Sequence, residues 1–178
     1  MILAVITMLG VATFTPEAAL SRAMQSSAEW TMTRKLPGSL TALRSSGTVK
    51  CELGKGIEWK TLKPFEMSVT MTTNAMIFVD EDGVRTKTLE EMPHYSELRL
   101  ATDAFVGGDR TAFDEVFEIS TELEKAGWRL SLKPKIGALK FLFTEIELMG
   151  AELPKKVVMR SGDGGESVIE FVEKPSVD

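Results

Sequence analysis

The chain has 178 residues, 43% of them apolar and 26% charged, with a formal charge of −5 at neutral pH. That length supports one domain with a core large enough to need neither metal nor disulfide staples, and the composition is that of a soluble globular protein. The acidic balance leaves no electrostatic footprint for nucleic acid, and a lone cysteine, Cys51, excludes an intrachain disulfide.

The chain opens on MILAVITMLGVATF, a stretch without a charged side chain that is too short to span a bilayer as a helix but suits the apolar region of a secretory signal. Gly10-Val11-Ala12 places small residues where a signal peptidase needs them; the competing reading is a buried first element of the mature domain, because no Lys or Arg precedes the stretch. The expectation is an exported chain in which residues 1–12 are the signal segment and residues 13–178 form a single domain.

Thr15, Pro16 and Glu17 carry the signature of a helix start, a capping hydroxyl followed by a proline at the first helical position and a carboxylate in the first turn. Trp30 and Met32 then alternate as on a strand before Pro37-Gly38 interrupts it. In GTVKCELGKGIEWK, Val49, Cys51 and Leu53 alternate with polar residues, and Ile57 and Trp59 do so again after the Gly54–Gly56 break. PFEMSVTMTT puts Phe65, Met67, Val69 and Met71 on one side and Glu66, Ser68, Thr70 and Thr72 on the other, the pattern of an antiparallel strand with one wet face. In AMIFVDEDGVRTK, Asp82-Gly83 is a favoured hairpin turn, while Met76 and Phe78 compete with Ile77 and Val79 for the inner face.

Two helices are expected next, one opening at Pro93 with Tyr95, Leu98, Thr102 and Phe105 on one stripe and ending at Gly107-Gly108, the other carrying Phe113, Val116 and Phe117. Strands resume with Phe117, Ile119, Thr121 and Leu123, turn at Ala126-Gly127, and continue through Trp128, Leu130 and Leu132. ALKFLFTEIELMG reads as a helical turn passing into a strand with Ile146 and Leu148 inward, and a last hairpin closes the chain. Two strand blocks flanking a helical insert predict an α+β domain with helices on one face of a strongly curved antiparallel sheet.

Chemistry is sparse in this pattern. The single histidine, His94, has no Gly-x-Ser-x-Gly elbow to serve, and Cys51 has no activating neighbour in sequence. One histidine and one cysteine do not make a zinc site; Asp80–Gly83 lacks the later ligands of a calcium loop; and Ser161–Ser167, although glycine-rich, lies between strand-like segments rather than before a helix. Neither a cofactor nor a metal nor a catalytic residue is expected. What stands out is soft apolar material on the strands, with 10 methionines in the chain, Met32, Met67, Met71 and Met76 among them. Thioether side chains repack readily around guests of variable shape, although a plain core is the commoner use of such stripes.

SSGTVKCELGKGIEW resembles the strand pair near the front of the LolA-like outer-membrane lipoprotein carrier proteins, in which a glycine-led strand is followed by a tryptophan after an apolar position; Gly47, Ile57 and Trp59 match those places. PHYSELRLATDAFVGGDRTAFDEVF, GWRLSLKPK, LFTEIELMGAELP and GDGGESVIEF resemble later segments of a divergent branch of that family, in order, from about Ala19 to Phe171. The resemblance implies an incomplete antiparallel β-barrel with helices covering the open side, and a periplasmic carrier that holds acyl chains of lipoproteins or other lipids in an apolar cavity on the way to the outer membrane. It implies an inner-membrane donor complex and an outer-membrane acceptor as partners. A monomer that is not an enzyme is the expectation. Leu53-Gly54 stands where the best-known carriers have a basic residue followed by proline, and Lys55 is offset, so the lid latch of those proteins is not carried over.

The expected lipid-binding residues are Val49, Leu53, Ile57, Trp59, Phe65, Met67, Val69, Met71, Met76 and Phe78 on the sheet, with Leu98 and Phe105 covering them from the helical insert. The alternatives are a cell-envelope adaptor with the same fold and a filled core, and a small lipid hydrolase.

Overall fold

The structure is a computed structural model and describes residues 16–23, 26–52, 54–93, 96, 97, 100, 104 and 110–173. Residues 1–12, His94, and the expected lining residues Leu53, Leu98 and Phe105 lie outside the described residues. Eleven strands form one sheet: β1 (Ser27–Lys35), β2 (Ala42–Glu52), β3 (Gly56–Lys63), β4 (Met67–Met71), β5 (Ala75–Asp80), β6 (Gly83–Thr88), β7 (Phe117–Glu124), β8 (Gly127–Pro134), β9 (Glu145–Gly150), β10 (Pro154–Arg160) and β11 (Glu166–Glu173). The described helices are α1 (Pro16–Ala23), α2 (Arg110–Val116) and α3 (Gly137–Leu142), with a 3-10 turn at Leu89–Glu91.

Every pairing is antiparallel, and the order is β6-β5-β4-β3-β2-β1-β11-β10-β9-β8-β7. The sheet is therefore two meanders joined where the first strand meets the last, with Trp30 opposite Phe171 and Met32 opposite Ile169. It does not close: β6 and β7 are its two edges. Tight loops explain why sequence neighbours pair so regularly. Lys125-Ala126 joins β7 to β8, and Glu81-Asp82 joins β5 to β6, one residue earlier than the Asp82-Gly83 turn expected from sequence. Gly83 instead closes that hairpin opposite Asp80 at φ 118°, a conformation open to glycine, while Asp80 Oδ1 accepts a hydrogen bond from the Asp82 amide.

Because side chains alternate across a strand, directly opposed residues share a face, and following the register across the sheet identifies one apolar face throughout. Over β7–β9 that face carries Phe117, Ile119, Trp128, Leu130, Leu132, Ile146 and Leu148, which pack with Ala19 and Leu20 of α1, Ala112, Phe113 and Val116 of α2, and Leu139 of α3. Leu100 and Ala104, both helical and one turn apart, join the same cluster; neither belongs to the stripe expected for the helix after Pro93. Trp128 is anchored by its indole N–H, which donates to the Ala151 carbonyl at 2.7 Å. Burying side chains of this size contributes about 1.5–3 kcal/mol each, so this wing holds the helices to the sheet.

Candidate functional site

The apolar face continues past the helix-covered wing in two cross-strand rows. Val49, Trp59, Val69 and Phe78 stand opposite one another from β2 to β5, and Cys51, Ile57, Met71 and Met76 form the row beneath them. The register resolves the ambiguity in AMIFV: Met76 and Phe78, rather than Ile77 and Val79, share the face of Trp59. Each row ends on β6 in a cation, Arg85 opposite Phe78 and Lys87 opposite Met76.

A second cluster sits where the two meanders join. Trp30, 2% exposed, is its centre; Val49 and Ile169 are buried with it, and Met32, Trp59, Val157, Met159 and Phe171 pack around them. Trp30 stacks on Trp59 with ring centroids 4.8 Å apart and planes inclined by 27°, and Phe171 meets Trp59 edge-on at 6.3 Å. Gly47 lies directly opposite Trp30 at a shift in the β2–β3 register. A Cβ there would fall 1.8 Å from the Lys60 carbonyl oxygen, so only glycine fits. Trp30 Nε1 and Ser45 Oγ are buried without a hydrogen-bond partner, a state that costs about 1–3 kcal/mol per group in an apolar setting.

Cover is uneven. The described helices pack chiefly on β7, β8 and β10, and none of them covers the open side of the sheet over β3–β6. On the other wing Ile57, Trp59, Val69, Met71, Met76 and Phe78 are half-buried, and Met67 at the strand end is exposed. Phe65 departs from the expected stripe. Pro64 cannot donate to the ladder, β3 stops at Lys63, and β4 resumes only at Met67, which leaves Phe65 in the connection, 79% exposed.

Between the wings, at the end of the sheet where α1 stops, lies an apolar groove of about 360 Å³. Ala23, Ala28, Val49, Cys51, Leu153 and Phe171 are among its walls, with Lys155 also lining it. Of the described residues predicted from sequence, Val49 alone lines it. Cys51 was visible as part of the alternating stripe but reads there as a plain buried thiol, whereas Leu153 and Phe171 come from the far end of the chain and carry no local sign of the groove. Burial pushes the Cys51 thiol up from its ordinary value, which lowers its nucleophilicity at neutral pH.

The opposite face is polar and tied by charge. Arg160 Nη1 reaches Glu145 at 2.9 Å and Glu147 at 3.0 Å, its Nε lies 3.5 Å from Glu166, and Ser131 Oγ donates to Glu145 at 2.8 Å. Lys50 and Lys55 flank Glu52 at 2.6 and 2.7 Å, and Lys60 pairs with Glu66 at 2.6 Å. Among the described residues no group of three or more His, Cys, Asp or Glu side chains is placed to hold a metal ion, and no helix is long and apolar enough to cross a membrane.

The family model for LolA-like outer membrane lipoprotein carrier proteins matches residues 19–166, most of the chain. The chain belongs to this LolA-like family. No curated protein matches it by sequence. Among solved structures, it is similar to the LolA superfamily protein NE2245 from Nitrosomonas europaea at 10% identity and a TM-score of 0.47, covering 92% of this chain and 95% of that one. LprF from Mycobacterium bovis aligns at 13% identity and a TM-score of 0.38 over 93% of this chain and 97% of that one. The Pseudomonas aeruginosa MucA/MucB complex aligns at 12% identity and a TM-score of 0.39 over 89% of this LolA-like chain, which spans 56% of the matched chain.

Proposed function

We propose that this LolA-like protein is a periplasmic, non-enzymatic carrier that takes up acyl chains of a lipoprotein or other lipid on the apolar face of β2–β5 and ferries them toward the outer membrane. The observation that carries this reading is the half-open apolar face itself: the rows from Val49 to Phe78 and from Cys51 to Met76 continue the packed face of the other wing, and the groove opens at their end. Each methylene of a guest chain removed from water contributes about 0.8 kcal/mol, so a lipid with long chains does not cross an aqueous space unaided. Met67, Met71 and Met76 give that face a compliant surface that moulds to a chain without locking it. Release then needs an acceptor that binds the lipid better, and loading needs a donor that binds it less well; no bond is made or broken.

The experiment is mass spectrometry of organic extracts from protein purified out of its native envelope. Lipid recovered with the wild-type protein and lost from a folded Met71→Asp variant is the expected result. Met71 is half-buried between Ile57 and Met76, so an aspartate there spares the core but sets an unpaired carboxylate against the guest. Lipid-free wild-type protein would favour an adaptor with a filled interior, and lipid retained by Met71→Asp would move the guest elsewhere.

A further inference from the structure

The β1–β2 hairpin has properties that the guest face does not require. Its connection runs Leu36-Pro37-Gly38-Ser39-Leu40-Thr41 and opens with a turn in which the Ser39 amide donates to the Leu36 carbonyl at 3.1 Å while Gly38 sits at φ 70°. Proline followed by a positive-φ glycine is the requirement of a type II turn, and it stiffens the tip. Ser39 Oγ then donates to the Thr41 carbonyl at 2.9 Å, holding the second half of the loop. On this braced tip Leu40 is fully exposed, Leu43 57% exposed and Leu36 37% exposed. The hairpin also overhangs its neighbour on one side. β3 ends with Lys63 opposite Ser46, so Ala42–Ser45 pair with β1 alone, a length of about 13 Å at the rise of a strand.

Charge sharpens the contrast. The whole chain is acidic, yet no Asp or Glu occurs between Glu29 and Glu52, and Arg34, Lys35 and Arg44 frame the tip. Across the sheet Glu166, opposite Lys35, pairs with Arg160, while Asp163 accepts hydrogen bonds from Ser161 and the Gly165 amide and lies near enough to Arg34 to feel its charge. Lys63, the last residue of β3, and Phe65 in the β3–β4 connection add a second apolar-and-basic pair at the same end of the sheet. A single exposed leucine needs no explanation. Three on one overhanging hairpin tip, two on its stiff loop and Leu43 at the start of β2, bracketed by cations and with no carboxylate in the tip itself, have the makeup of a segment that enters the boundary between headgroups and acyl chains.

We propose that the β1–β2 hairpin docks the protein on the surface of an anionic bilayer, with Leu36, Leu40 and Leu43 entering the interface and Arg34, Lys35 and Arg44 on the lipid phosphates. Repulsion between the anionic surface and the acidic remainder of the molecule keeps the body off the membrane and the hairpin toward it. Arg34 and Leu43 share the sheet face of Met32 and Val49, but they lie beyond the end of β3 and outside the groove, and the Met71→Asp variant distinguishes this proposal from the carrier reading.

The test uses the whole protein with vesicles of phosphatidylcholine alone or mixed with phosphatidylglycerol, and co-sedimentation at low and high salt. Binding should require phosphatidylglycerol and weaken with salt. The paired variants Leu36→Ser/Leu40→Ser and Arg34→Gln/Arg44→Gln should each reduce it, the second by roughly fivefold for each cation removed. All four side chains are exposed, so circular dichroism should show an unchanged fold. Met71→Asp should leave vesicle binding intact. Indifference to phosphatidylglycerol, or full binding by either paired variant, overturns the proposal and points to a protein partner for the tip.

Discussion

Replacing Gly47 with alanine tests whether the seam of the sheet is as tightly built as its geometry implies. The added Cβ would lie 1.8 Å from the Lys60 carbonyl oxygen, 2.8 Å from the Lys60 carbonyl carbon and 2.9 Å from Thr61 Cα. A carbon–oxygen contact settles near 3.3 Å, so β3 must withdraw by about 1.5 Å, which stretches neighbouring ladder hydrogen bonds beyond useful length. Two such bonds at about 1 kcal/mol each, with part of the Trp30–Trp59 stacking, give a loss of about 3 kcal/mol. For a domain of this size that lowers Tm by roughly 6–12 °C. Thermal unfolding followed by circular dichroism measures it, and the near-ultraviolet signal of the stacked indoles should fall in the folded variant. Gly162→Ala is the control: its Cβ would meet nothing nearer than Thr144 Cγ2 at 3.9 Å, so its Tm should stay close to that of wild type. A Gly47→Ala protein that melts within about 2 °C of wild type, with its indole signal unchanged, would refute the packing argument.

Two further outcomes follow from the site and its rim. Cys51 lines the groove and its thiol is raised by burial, so labelling by a thiol reagent at neutral pH should be slower than for the unfolded chain, and slower again when lipid or a long-chain detergent occupies the groove; equal rates with and without an occupant would separate Cys51 from the guest. Glu52, hydrogen-bonded by Lys50 and then by Lys55, is held down at a pKa of about 2, and an NMR titration should show Lys50→Met raising it toward the ordinary glutamate value. The sign is that of a depressed carboxylate: any stabilisation is complete above the unfolded value and is lost as pH falls toward about 2. Solvent exposure keeps the effect on folding small.

Much of the architecture is legible in the sequence, because local rules dominate an antiparallel meander. Period-two alternation in Met67–Met71 and Phe117–Leu123, the proline at the start of α1, and the short loops all act over a few residues. The inner side of Met76–Val79 was not readable, since four apolar residues in a row satisfy either register; the pairing of Val69 with Phe78 and Met71 with Met76 decides it. Parity alone puts Phe65 on a strand, but Pro64 ends the ladder before it and β4 begins only at Met67. The groove was invisible for a different reason. Its walls come from α1, β1, β2, the β9–β10 connection and β11, and no window of sequence contains the juxtaposition.

The pairing of β1 with β11 has a consequence for how the molecule comes into being. Each meander can zip up from its own hairpins, but the leading strand keeps one flank unsatisfied until the very end of the chain arrives, so the two wings become a single body only on the last closure. A chain truncated before Glu166 would therefore expose a long bare edge in the middle of what should be a sheet, a template for sticking to its neighbours, and the final eight-residue strand acts as the clasp that prevents it.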